Sequence, residues 1–201
     1  EHRSRELIAP YLAGLSLSEA EKKVYSRIIH AAGDVEYAPI IRISETAVAA
    51  GIAALRGGAD IYTDVEMVRT GINKCKLALF GGTVHCRIAD PDIAARAKAE
   101  GVTRSLMAMR SFGAALTGSV IAIGNAPTAL FEVLRLVREE GVRPACIVGI
   151  PVGFVGAADS KKALAENRLV PYITVEGTKG GSPIAAAAVN AMLYEIDDSR
   201  D

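Results

Sequence analysis

The sequence contains no tryptophan, aromatic residues make up only 5% of its 201 residues, and cysteine occurs three times. With so little aromatic volume, a buried interior has to be assembled from Ala, Val, Ile and Leu, and the 50% hydrophobic share is large enough for that. Cys75, Cys86 and Cys146 are odd in number, far apart and without C-x-x-C spacing, so neither a disulfide framework nor a zinc site is indicated. Net charge is missing as well: 23 basic residues balance 23 acidic ones. That balance withholds the field that nucleic acid or an anionic membrane surface needs, so an anionic ligand must be held by local, directed charges. No apolar run is long enough to cross a bilayer, and the charged start Glu1-His2-Arg3-Ser4-Arg5 leads into no apolar stretch of signal length. These absences point to a cytoplasmic chain without nucleic-acid or membrane partners. Its length suits one domain over residues 1–201.

What is present is a regular change of period. Ser18 and Glu21 form an S-x-x-E capping box, followed by an apolar stripe at Val24 and Ile28 and a left-handed stop at Gly33, which predicts a helix to about His30. Ser44 opens a second helical segment carrying Val48, Ile52 and Leu55. Short apolar runs then recur at Ala59 to Thr63, Thr83 to Ile88, Ser119 to Ile123, Ala145 to Ile150 and Pro171 to Val175. Helical patterns separate them, opened by Asp90-Pro91, by Pro127 and by Ser182-Pro183. The alternation predicts an α/β, doubly wound, Rossmann-like sheet of about five mainly parallel strands, with ligand-binding loops beyond the strands' carboxyl ends.

Several segments could carry chemistry. Helical phase puts His30 on the side of Ser26 and Arg27, away from the apolar stripe, and both the helix C-terminus and nearby Asp34 favour an imidazolium there. Such a group suits general acid catalysis, although an ordinary exposed histidine would look the same. Gly124-Asn125-Ala126-Pro127-Thr128 joins a strand to a helix, so backbone N–H groups and an amide side chain converge where an anion could bind, or Asn125 simply caps the helix. Gly177-Thr178-Lys179-Gly180-Gly181-Ser182 offers bare backbone donors plus an ammonium, but its lysine precedes the glycine pair, so it is not a Walker A loop, and its glycines may equally serve close packing of the Ala-rich helix that follows, which could also face a second subunit. In Gly149 to Gly156, Pro151 stands where a G-x-G-x-x-G fingerprint needs its first glycine. Arg104, just after Gly101 ends a helix, can reach a carboxylate bidentately or be a plain surface arginine. Asp64 reads as a helix cap, and His85 and Cys86 point to opposite faces of a strand and share no ligand.

In chain order, Arg3-Ser4, Arg27 to Gly33 (R-I-I-H-A-A-G), Asp64 to Met67 (D-V-E-M), Thr103 to Ser105, Gly124 to Phe131 (G-N-A-P-T-A-L-F), Pro151 to Ala157 (P-V-G-F-V-G-A), Ser160-Lys161 and Lys179 to Ser182 together resemble the precorrin-8X methylmutases, called cobalt-precorrin-8 methylmutases in the anaerobic branch of cobalamin (vitamin B12) synthesis. The resemblance implies an isomerase that moves a methyl group from C11 to C12 of precorrin-8 or its cobalt form. The product is hydrogenobyrinate or cobyrinate, reached by a protonation-assisted 1,5-shift. It further implies a homodimer with tetrapyrrole sites near the subunit interface, no cofactor, His30 as proton donor, and Arg104 and Ser4 at the substrate. A shift of this kind needs a rigid hold on a ring with many carboxylate arms, which Asn125, Arg104, Lys179, Gly180, Gly181 and Ser182 could supply. Val35 to Ser44 and Gly58 to Thr63 look closer to the cobalt branch, and cobalt would arrive inside the ring, so no protein metal site is expected. Two other readings stay open: a nucleotide-dependent oxidoreductase, against which the missing fingerprint counts, and a non-catalytic tetrapyrrole carrier, which has no use for a proton donor.

Overall fold

The sequence pattern resolves into alternating layers in a computed structural model that describes residues 2–196. Two helices lead: α1 (His2–Leu12) and α2 (Glu19–Ala32). The first strand, β1 (Ile41–Ile43), precedes α3 (Ala47–Arg56), β2 (Ile61–Thr63), α4 (Glu66–Gly71) and α5 (Lys74–Ala78). Then follow β3 (Val84–His85), α6 (Pro91–Glu100), α7 (Arg104–Phe112), β4 (Val120–Ile123), α8 (Pro127–Glu139), β5 (Cys146–Gly149), α9 (Ala157–Glu166), β6 (Tyr172–Val175) and α10 (Ser182–Glu195). Among the described residues no helix is long and apolar enough to cross a membrane.

The six strands form one sheet in the order β1-β6-β5-β4-β2-β3. Five of them, β2 to β6, are mutually parallel, as the apolar runs predict, and β1 adds an antiparallel edge with Ile41 opposite Val175 and Ile43 opposite Ile173. That edge strand escapes a sequence reading because it is three residues long and flanked by helical patterns. Counted among themselves, the parallel strands run 2-1-3-4-5, so the winding reverses between β2 and β4, and the crevice there is where an open α/β sheet takes its ligand.

Side-chain alternation divides the core into two layers. Ile61, Val120, Ala122, Val148 and Ile173 face α1, α2, α3 and α10, while Tyr62, Ile121, Ile123 and Ile147 face α7, α8 and α9. α10 reaches the sheet because its residues are small: Ala185, Ala186, Ala188 and Ala191 are buried, and a Cβ on Gly71 would lie 2.8 Å from the Cβ of Ala186. Part of the Ala-rich stripe is therefore used inside the chain, while Ala187 lines the open face beside α1 and α2.

The helix ends explain which sequence signals held. Ser18 accepts the Glu21 amide while Glu21 takes the Ser18 N–H, and Gly33 ends α2 in the left-handed region at φ 62°. Asp90 precedes Pro91 as expected, but its carboxylate turns to Arg87. Ser44 does not cap α3, whose N-cap is Thr46; its hydroxyl takes the Tyr172 N–H at 2.9 Å and closes the β1–β6 ladder. α10 is preceded by Gly181, so Ser182 is its first residue and not its cap.

Candidate functional site

At the strand reversal the chain supplies its own anion. Asp64, fully buried after β2, accepts the Gly124 N–H at 3.0 Å on one carboxylate oxygen and the Asn125 and Ala126 N–H groups at 2.9 and 2.8 Å on the other. Burial pushes this carboxyl up, and the three amides pull against that shift. Asp64 thus serves the start of α8, across the sheet, instead of capping the helix that follows it; α4 starts from Val65 with no side-chain cap. Of the amides that the Gly124 to Thr128 turn is expected to offer a ligand, those of Gly124, Asn125 and Ala126 are already engaged. From the other side α10 closes the same crevice, since a Cβ on Gly124 would sit 2.6 Å from the Ser182 Cα.

The large opening lies elsewhere, on the face covered by α1, α2 and α10. A cavity of about 1080 Å³ is bounded there by Ser4, Ile8 and Leu12 of α1, by Ser26, Arg27 and His30 of α2, and by Pro183, Asn190 and Tyr194 of α10. His30 sits in the last turn of α2 with its side chain exposed, on the face opposite buried Val24 and Ile28, as helical phase predicted. Ser4 of α1 joins it in the same wall. The charged lining is mostly basic: Arg5, Lys22, Lys23, Arg27 and His30 against Glu19 and Glu195. Lys22 pairs with Glu19 and Lys23 with Glu195, whereas the Arg27 guanidinium lies 4.3 Å over the Tyr194 ring. A partly apolar lining in which basic side chains outnumber acidic ones fits a large, flat, polycarboxylate ligand.

The remaining expected residues stand apart from this cavity. Arg104 is exposed as the first residue of α7, whose N-cap Thr103 hydroxyl meets the Thr128 hydroxyl at 2.7 Å. That contact sets the starts of α7 and α8 side by side, with Asn125 exposed just before α8. Both belong to the tips and the far face of the sheet, opposite the layer that carries His30. The Lys179 ammonium does not face solvent unpaired: it binds the Asp34 and Glu36 carboxylates, the latter at 2.8 Å, and lies 5.6 Å over the Tyr37 ring. Asp34 and Glu36 push the ammonium above the usual lysine range, and Lys179 holds the Asp34 carboxyl below the carboxylate range. Asp34 is thus turned to Lys179 and to the Glu36 amide, not reserved for His30 as its sequence position suggests.

The glycine turn beside Lys179 was expected to present bare donors, and it does not. The Gly181 N–H bonds the Ile150 carbonyl at 2.9 Å, and Ser182 is buried. Gly180 is required here: at φ 152° its Cα approaches so closely that a Cβ would lie 2.6 Å from the Ile150 carbonyl oxygen. Two further residues were quoted in the sequence reading without a role. Lys161, only 2% exposed, donates its ammonium to the Lys179 carbonyl, and burial pulls it down to about 8. Arg27, which helical phase places on the His30 side of α2, was given no role of its own by the sequence reading.

The precorrin-8X methylmutase family model matches residues 1–195. The chain is 40% identical to a cobalt-precorrin-8 methylmutase from Leptospira interrogans over 200 residues, covering 96% of this chain and 91% of that relative. It is 46% identical to a precorrin-8X methylmutase from a Sinorhizobium species over 176 residues, with 87% and 83% covered. The solved precorrin-8x methyl mutase from Thermus thermophilus superposes with a TM-score of 0.88 at 36% identity, covering 98% of this chain and 96% of that one.

The Asp64 contacts have a measurable consequence. Asp64→Ala leaves three amides at the buried turn without an acceptor and is expected to destabilise the fold by roughly 2–5 kcal/mol. Asp64→Asn keeps the shape but presents an N–H₂ to an N–H donor, and should lose a smaller part of that. Urea unfolding of the three proteins measures the order; equal midpoints for all of them would mean that the carboxylate does not hold the turn.

Proposed function

The chain belongs to the precorrin-8X methylmutase family, and on that premise we propose that it moves a methyl group from C11 to C12 of a precorrin-8 ring lodged between α1, α2 and α10, with His30 as proton donor. Membership makes it an isomerase of cobalamin biosynthesis. The observation that carries the finer reading is the meeting of His30 and Ser4, from different helices, in the wall of one cavity. Its volume exceeds the range of about 300–1,000 Å³ usual for drug-sized ligands and so suits a macrocycle.

The chemistry asks for holding and protonation. A methyl group that moves with its bonding electrons along a conjugated ring leaves the composition unchanged. The protein must therefore favour the rearranged conjugation over the original. His30 can do so by giving a proton to the ring edge. The basic rim meets the carboxylate arms and fixes the ring's orientation, which supplies the positional part of catalysis. Relatives named for the cobalt-bearing and for the metal-free ring match alike, and the same holding and protonation serve both; cobalt, where present, belongs to the substrate.

Arg104 and Asn125 enter this reading through a second copy of the chain. In the proposed homodimer the partner's α7 and α8 starts come over the cavity mouth, so that one chain supplies Ser4 and His30 while the other supplies Arg104 and Asn125. The isologous arrangement makes two such sites. We place the reaction in the cytoplasm, which suits three free thiols. A nucleotide-dependent oxidoreductase is not favoured: besides the family match, Asp64 fills the position where a doubly wound sheet would receive a dinucleotide's phosphates.

Replacing His30 with Ala is expected to lower turnover of the precorrin-8 ring by at least about 100-fold, with the affinity for the coloured product changed by no more than a few-fold. Retained turnover would instead identify a different acid, and binding of the ring with no turnover by the unaltered protein would identify a carrier. Shared sites are read by subunit mixing: His30→Ala and Arg104→Ala, each inactive alone, should recover about a quarter of wild-type activity when randomly reassembled one to one. No recovery in verified heterodimers would mean that each chain builds its site by itself.

A further inference from the structure

Beyond His30, the segment that follows α2 is tied to the β6–α10 loop through Lys179, and that loop to α9 through Lys161. After His30, α2 ends at Gly33, whose N–H returns to the His30 carbonyl at 3.2 Å, and the next residue is Asp34. Asp34 caps the 3-10 turn Val35–Tyr37 through the Glu36 amide and binds the Lys179 ammonium, which also takes Glu36. The tail of α2 is therefore tied to the loop between β6 and α10, whose next helix puts Pro183 into the same cavity as His30. That loop is itself fixed from behind. Lys161 of α9, almost wholly buried, donates to the Lys179 carbonyl, the Gly153 N–H takes the Thr178 carbonyl at 3.1 Å, and the Gly181 N–H takes the Ile150 carbonyl.

A buried ammonium that donates to a single backbone carbonyl is a costly way to secure a loop, because desolvation disfavours its charged form. Packing or a neutral donor would stabilise an ordinary loop at less cost. What the ammonium adds is a directional anchor on the residue whose own side chain grips the end of the His30 helix. The sequence is linear: α9 holds the Lys179 backbone, the Lys179 side chain holds Asp34 and Glu36, and these hold the last turn of α2.

We propose that Lys179 is a positioning residue for the methyl shift: clamped between Asp34 and Glu36 and anchored through its carbonyl by Lys161, it sets the place of His30 against the substrate without touching the ring. This rests on His30 being the proton donor. Misplacing a catalytic group by about 1 Å costs up to about 100-fold in rate, so the effect belongs in kcat.

The test is a double-mutant cycle with kinetics on the full-length enzyme. Lys179→Met is expected to lower kcat about 10–100-fold with KM within about threefold, Lys179→Arg to restore most of it, and Lys179→Met in a His30→Ala background to cost little more than His30→Ala alone. In the ligand-free enzyme the His30 ring resonances should move in Lys179→Met and return in Lys179→Arg. Asp34→Asn, which keeps the volume, should reproduce the kcat loss if Lys179→Met does not fold. A raised KM with unchanged kcat would show that Lys179 holds a substrate arm directly and overturn the proposal. So would a loss that adds in full to that of His30→Ala. If His30→Ala alone keeps full turnover, the proton-donor reading fails instead, and the two failures are thereby told apart.

Discussion

A dehydrated carboxylate at the turning point of the sheet decides where this protein can bind anything. Asp64 receives three consecutive backbone amides from Gly124, Asn125 and Ala126, so the partial positive charge at the start of α8 is neutralised from within. Holding a carboxylate out of water is costly, and only a full set of donors makes it tolerable. The return is a sealed joint: β2, β4 and α10 meet around Gly124 with no room for a side chain, and the crevice that doubly wound sheets usually give to ligands is closed. The proposed site lies instead on the helical face, where α1, α2 and α10 border a partly apolar cavity with a mostly basic charged lining.

That displacement suits a large ring. A strand-tip crevice grips phosphates or small groups, whereas a macrocycle with carboxylates around its whole edge needs a broad floor and cations spread over a rim. Small residues along α10 bring it against the sheet and against α2, and its polar edge, Asn190 and Tyr194, turns toward the cavity. Tyr194 in turn carries the Arg27 guanidinium on its ring, one turn from His30, so aromatic stacking and helix geometry place cation and imidazole along one line. A homodimer in which Arg104 and Asn125 arrive from the other copy would give the ring a lid that a single chain, with these residues beyond its sheet, does not provide.

Much of this was legible in the sequence where the signal is local. The Ser18–Glu21 box, the Gly33 stop, Pro127 at the head of α8 and the five parallel strands all follow from neighbouring residues and came out as expected. Helical phase alone put His30 on the side of Ser26 and Arg27, where the cavity is. What the sequence did not disclose depends on contacts between distant segments. Nothing near Asp64 shows that its partners lie at Gly124 to Ala126, and nothing near Asp34 announces Lys179. The glycine turns therefore look like open anion sites in the sequence, and the fold shows them satisfied by the chain itself. β1 was missed for a related reason, since a three-residue edge strand is defined by its partner β6 more than by its own residues.

In the proposed reading the tetrapyrrole lies on the helical face beside His30 and not over the closed strand tips. The most direct measurement is a crystal structure of the enzyme soaked with its coloured corrin product. The expected density is a ring between α1, α2 and α10, its edge within hydrogen-bonding reach of the His30 imidazole. A ring seated over Asn125 and Thr128 of the same chain, away from His30, would contradict it.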